Sequence, residues 1–250
     1  MQTLRRPLGL FTSLMIVLST TAMAAIGATG GVQPATAVVR LHARGTYDMQ
    51  GRVVRCERGE TVGIWVESRL AFHVTNGVVE GCEVGILVTR GAADEAPDEG
   101  APAKTSQVAG MRVRGATIGV WLAGSGSTAS ENIVGEADYG FVVTGDDNRL
   151  TNNQSTDNHR DGILVTGDRN VLEGNEVRRN QGVGIHVASM APMIGSKRAL
   201  LFIQDRGLSN VLRENIAESN TLDLREFAED CDGNEWTQNT FETREPECIQ

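Results

Sequence analysis

A 22-residue period constrains this chain more than any other feature. Gly140, Gly162 and Gly184 align when the segments they open are laid under one another. Phe141-x-Val143, Ile163-x-Val165 and Ile185-x-Val187 then share one column. Asn148 falls on Asn170, Asn153 on Asn175, and Asn158 on Asn180. Each unit consists of short alternating apolar runs bounded by Gly, Asn and Asp, which is a strand-and-turn pattern. One such unit cannot bury its apolar face alone, so units must stack on copies of themselves. Stacking at about 4.8 Å per rung gives a parallel β-helix. Alternation sends Ile163 and Val165 inward and Leu164 outward. The recurrent Gly and Asn are expected to supply left-handed turn conformations. Asn153, Asn175, Asn215 and Asn239 are expected to form an internal amide ladder.

The repeat occupies most of the 250 residues, so one domain is expected, with about eight coils over 46–250. Aromatic residues make up only 4%, and the core must come from Val, Ile and Leu. The formal net charge is −9, which argues against nucleic acid and against anionic membrane surfaces as partners. A local basic patch still leaves acidic polysaccharides open.

Met1 to Ala24 reads as a secretory signal: Arg5 and Arg6, an apolar run from Leu8 to Leu18, and Ala22-Met23-Ala24 as the cleavage site. A retained anchor is the other reading, but the run is short for a span. The mature chain is therefore expected to be exported, free of the membrane and monomeric. Residues 25–45 read as a flexible leader followed by a cap strand within Thr36 to Ala43. Two insertions interrupt the repeat, at about 91–106 and 189–207. The first is acidic and rich in Ala and Pro; the second is more apolar. Both leave after the same strand of the coil, and together they could wall one side of a groove. Gln50-Gly51 and Asn76-Gly77 share a register, each with a Cys five residues on. Cys56 and Cys82 therefore stack one coil apart, as a disulfide or as two buried thiols. A bridge from Cys231 to Cys248 would staple the tail over the last coil. Trp236 falls in the column of Leu150, Leu172 and Leu212 and reads as core.

These residues resemble the right-handed parallel β-helix repeat proteins of the pectate-lyase-like superfamily. YDMQGRVVRC is similar to the opening of that group. VTNGVVEGCEVGILV, GDDNRLTNNQSTDNHRDGILV and GDRNVLEGNEVRRNQGVGIHV look like its successive repeats, and CDGNEWTQNTF with the terminal Cys looks like its close. The resemblance covers Thr46 to the C-terminus and implies an all-β, single-stranded helix. The superfamily holds polysaccharide lyases, epimerases and hydrolases, and also members with no known activity, so fold alone does not choose among them.

The register predicts one outer face. It holds the Gly column (Gly63, Gly85, Gly119, Gly140, Gly162, Gly184) as the floor of a shallow trench. One rail is Trp65, Leu87, Trp121, Val142, Leu164 and His186. The other is Thr61, Glu83, Thr117, Asp138, Arg160 and Gly182. A trench along stacked strands suits an extended glycan. Trp65, Trp121 and Glu83 are the candidate ligand contacts; packing beneath the insertions is the other role for the two Trp. Arg160, Asp138, His159 and His186 are the candidate catalytic groups. A lyase or epimerase needs a base and a cation beside a uronate carboxylate, whereas a hydrolase needs two carboxylates, for which only Asp138, Asp161 and Glu83 are nearby. A surface ion pair between Asp138 and Arg160, and a solvated His159, are the plain readings. His186 replaces an apolar residue in its column. The paired-Asp and GHG arrangement of polygalacturonases and the DPHE motif of mannuronan epimerases are both missing. Asp146, Asp147 and Asp168 sit in turns where Asp is expected, so no metal and no cofactor is predicted. The sequence therefore predicts an exported β-helix that binds a polysaccharide and could process it. The competing expectation is a non-enzymatic scaffold for surface interactions.

Overall fold

The computed structural model describes residues 37–41, 45–57, 61–67, 71–89, 106–189, 207–231 and 233–250. The signal segment, the leader to residue 36 and the greater part of both insertions lie outside the described residues.

The described chain forms the right-handed parallel β-helix that the repeat predicts. Three parallel sheets run its length. The first has nine strands, from Ala37–Leu41 to Arg244–Glu245. The second has eight, from Gly45–Asp48 to Glu235–Thr237. The third also has eight, from Val53–Arg55 to Thr240–Phe241. Every third strand in sequence joins the same sheet, so among the described residues eight coils are complete and a ninth begins. The cap strand is Ala37–Leu41, paired in parallel with Val62–Glu67. Both insertions leave after first-sheet strands, Val84–Thr89 and Val183–Val187.

Inward columns such as Ile64, Ile86, Val120, Phe141, Ile163, Ile185 and Leu224 fill one core. Trp236 is paired with Leu212 and is buried at the far end. Cys56–Cys82 and Cys231–Cys248 are both disulfide-bonded. The amide ladder runs from Asn132 through Asn153, Asn175 and Asn215 to Asn239. Each Nδ2 donates to the next Oδ1, at 2.9 to 3.0 Å. A second ladder, Asn158–Asn180–Asn220, ends on the carboxylate of Asp223. In a third, Asn148–Asn170–Asn210–Asn234, the backbone N–H of each of the first three residues donates to the next Oδ1. The Nδ2 atoms of Asn148, Asn170 and Asn210 have no acceptor among the described residues.

Two expectations are corrected. The left-handed corner conformation belongs neither to the ladder asparagines nor to the recurrent glycines. It belongs to the residue just before each ladder asparagine: Glu131, Asp147, Asn152, Asp157, Arg169 and Ser219 have φ between 54° and 60°, and Gly174 and Gly233 take the place before Asn175 and Asn234. The recurrent Gly column also points inward, so it is not the floor of an outer trench. A Cβ on Gly162 would lie 2.2 Å from Val177 Cγ1 and 2.8 Å from the Gly184 carbonyl; on Gly119 it would lie 2.2 Å from Val134 Cγ1. The ladder skips the glycine: Val62 pairs with Val84 and Ile64 with Ile86, Ile118 with Tyr139 and Val120 with Phe141, with no glycine pair between, and regular alternation begins only after it. Close packing of neighbouring coils, not a ligand, excludes a side chain there.

Candidate functional site

Across this skipped position the residues before Gly63, Gly85, Gly119 and Gly140 join the outer surface. Val62, Val84 and Ile118 form a second apolar cluster with Leu87, Val142 and Leu164, separate from the core and also buried. Tyr139, Trp65 and Trp121 pack against it. The outer face of the first sheet is therefore an apolar stripe of two columns. One column reads Val62, Val84, Ile118, Tyr139 along consecutive coils. The other reads Arg40, Trp65, Leu87, Trp121, Val142, Leu164, His186, Arg225.

The two tryptophans are half-buried and tied into this stripe. Trp65 Nε1 donates to Thr89 Oγ1 at 2.8 Å, and the Arg40 guanidinium sits 4.1 Å from its ring centroid. Trp121 Nε1 donates to Thr144 Oγ1 at 3.0 Å. Glu83 lies on the polar corner two coils before Asp138, and its side chain bonds none of the described residues.

The stripe changes character over three successive coils. Tyr139 opens the strand Tyr139–Val143, with Asp138 just before it. His159, Arg160 and Asp161 form the corner that leads into Ile163–Val165. His186 lies within Val183–Val187. Arg160 and Asp138 occupy adjacent coils, with Arg160 N bonded to the Asp138 carbonyl. Their side chains do not form the expected ion pair. Arg160 Nη1 donates instead to Tyr139 Oη at 3.3 Å, and its guanidinium lies 5.7 Å from the Tyr139 ring centroid. The phenol holds the arginine pKa above its ordinary value, and the Asp138 and Asp161 carboxylates add to this. Asp138 lies 3.6 Å from His159 Nδ1, which also faces the Ala137 carbonyl at 3.1 Å; both side chains are exposed.

His186 is drawn toward Asp161. Its Nδ1 is 2.9 Å from Asp161 Oδ2, while Asp161 Oδ1 accepts the Val183 N–H at 2.9 Å. The pair is sheltered, with side-chain exposures of 19% for His186 and 15% for Asp161. Four groups thus converge on one corner: Tyr139, Arg160, Asp161 and His186. Arg160 and His186 were legible as candidates. Asp161 was legible only as one of the nearby carboxylates, not as the partner of His186, and Tyr139 was not legible, because strict alternation sends their column inward. The available signal was that this column changes from Val, Val and Ile to Tyr and then Asp.

The corner can do three things chemically. An exposed guanidinium can bind a carboxylate or another anion. A neutral imidazole can accept or exchange a proton. A phenol can donate a hydrogen bond.

No curated protein matches the chain. A family model described as "Periplasmic copper-binding protein (NosD)" matches residues 58–246, most of the chain. The chain therefore belongs to the NosD family and is an exported, periplasmic parallel β-helix protein.

Proposed function

We propose that this protein binds an acidic, uronate-containing polysaccharide across the outer face of its first sheet. The observation that carries the reading is the exposed Arg160 guanidinium, held by Tyr139 one coil from the His186–Asp161 pair. The guanidinium supplies the carboxylate contact, and His186 supplies a polar contact to the sugar ring. Trp121 and Trp65 lie in the same column beyond the buried Leu164 and Val142, and with Glu83 on the polar corner beside them they are outlying contacts in this reading. The net charge of −9 opposes a polyanion at long range, so a local cation must decide the binding. His159 and Asp138, exposed beside Arg160, are peripheral contacts in this reading. Proton removal from a bound uronate by His186 would convert binding into processing of the lyase or epimerase kind.

The family description names copper, and the donor set bears on whether that carries over. Among the described residues no three His, Cys, Asp or Glu side chains gather as a metal site. All four cysteines are disulfide-bonded. Met111 is buried in the core, its sulfur accepting the Gly77 N–H. His186 commits Nδ1 to Asp161. Copper in proteins is held by several imidazole, thiolate or thioether donors together. The described residues do not supply that set, and no role proposed here runs through the metal.

Arg160→Ala tests the reading. The side chain is exposed, so the variant should melt within a few degrees of the parent. Its affinity for oligogalacturonate or oligo-alginate, measured by isothermal titration calorimetry, should fall about tenfold or more, the loss of one charge-assisted contact. Unchanged affinity in a folded variant would remove the guanidinium from the reading.

A further inference from the structure

The stripe column that holds Val62, Val84, Ile118 and Tyr139 reaches Asp161 on the next coil. The neighbouring column, after Trp121, Val142 and Leu164, reaches His186. Val, Leu or Ile would serve packing at both places, as in the earlier coils. Sheltering a carboxylate and an imidazole there has a desolvation cost that a purely structural role would not require.

Both oxygens of Asp161 are committed. Oδ1 receives the Val183 backbone N–H, and Oδ2 faces His186 Nδ1, each at 2.9 Å. A carboxylate only accepts hydrogen bonds, so the imidazole must carry its proton on Nδ1. In the neutral ring the lone pair is then on Nε2, which bonds none of the described residues.

We propose that Asp161 is a positioning residue that fixes the Nδ1–H tautomer of His186, so that Nε2 accepts a sugar hydroxyl while Arg160 takes the neighbouring carboxylate. This rests on the polysaccharide reading and deepens it. The site would present an acceptor and a cation side by side, a combination that matches a uronate, whose carboxylate lies close to ring hydroxyl donors. A neutral hexose would leave Arg160 without a counter-charge.

The test uses Asp161→Asn in the full mature protein. The Val183 N–H still demands an acceptor at Oδ1. The new amide must therefore turn its NH2 toward His186 Nδ1. That forces Nδ1 to accept and moves the imidazole proton to Nε2, the same wrong-tautomer logic known for an Asp→Asn change beside a catalytic histidine.

The readout is the ring 15N–1H correlation pattern of His186, with oligouronate titration run in parallel. The expected result is an Nδ1–H tautomer in the parent and an Nε2–H tautomer in the variant. Uronate affinity should drop about tenfold in the variant, with residual binding still sensitive to Arg160→Ala. A parent ring without the Nδ1–H tautomer overturns the inference whatever the glycan result. So does a flipped tautomer with unchanged uronate affinity. A parent that holds the Nδ1–H tautomer yet binds no uronate sinks the polysaccharide reading itself, and the role assigned to Asp161 in binding falls with it.

Discussion

Asn175→Ala should cost about 3–5 kcal/mol, which would lower the melting temperature by about 10 °C or more in a chain of this size. The side chain is fully buried and makes four hydrogen bonds. Nδ2 donates to the Leu150 carbonyl at 3.0 Å and to Asn215 Oδ1 at 2.9 Å. Oδ1 accepts the Asn153 N–H at 3.0 Å and Asn153 Nδ2 at 2.9 Å. Truncation leaves a buried backbone N–H without its acceptor and opens a gap in the middle of a five-residue amide run. Coupled amides polarise one another, so the break should cost more than one isolated bond. Two comparisons sharpen this. Asn170 is equally buried, but among the described residues its side chain accepts only the Asn148 N–H, so Asn170→Ala should cost clearly less. Arg179→Ala on the same coil removes only an exposed, solvent-screened ion pair with Asp157 and should shift the melting temperature far less than either asparagine variant. Thermal unfolding followed by circular dichroism ranks the three. An Asn170 variant as damaging as the Asn175 variant would mean that burial, not the amide bonds, sets the cost.

Asp223→Asn should cost about 2–4 kcal/mol, and the cost should shrink in acid. Asp223 is buried and closes the Asn158–Asn180–Asn220 ladder. Oδ1 receives the Asn220 N–H and Nδ2; Oδ2 receives the N–H groups of Glu242 and Thr243 and the Thr243 hydroxyl, at 3.0 to 3.2 Å. Burial alone would raise the carboxyl pKa. The hydrogen bonds from Asn220, Glu242 and Thr243 outweigh it and hold the group below the ordinary Asp value. An amide at this position puts an NH2 against donors whichever way it turns. Because the folded pKa is depressed, the carboxylate's stabilisation is fully present above the unfolded value of about 4 and is lost as pH falls through the folded value. Melting curves from pH 7 down to pH 3 should show the gap between parent and variant narrowing only at the acid end. A constant gap would mean that the charge is not what the ladder end requires.

The repeat made the fold readable because each side chain serves the same role on every coil. A 22-residue spacing that keeps Phe141, Ile163 and Ile185 in one column leaves little choice but stacking. The central ladder was readable for the same reason, and so were the two disulfides. The corners were less readable. A left-handed residue need not be Gly when neighbouring hydrogen bonds offset its cost, and Asp, Arg, Glu and Ser all occupy that position here. The same limit affected the site. Strict alternation put Gly140 and Gly162 on the outside and sent Tyr139 and Asp161 inward, whereas the glycines crowd against the neighbouring coil, Tyr139 packs on the outer cluster, and Asp161 meets His186. His186 stood out because it broke an apolar column. Its partner Asp161 broke the adjacent column, which had been assigned to the wrong face.

The most direct test is proton NMR of acidic and neutral polysaccharides, recorded with and without the purified mature protein. Resonances of uronate-rich chains should broaden on addition of protein and those of neutral glucans should not, and Arg160→Ala should weaken the broadening at the same protein concentration. New signals from unsaturated ends, shortened chains or epimerised sugars would show processing as well as binding. A folded protein that leaves every acidic polysaccharide spectrum unchanged would contradict the account and favour a periplasmic scaffold that meets other partners.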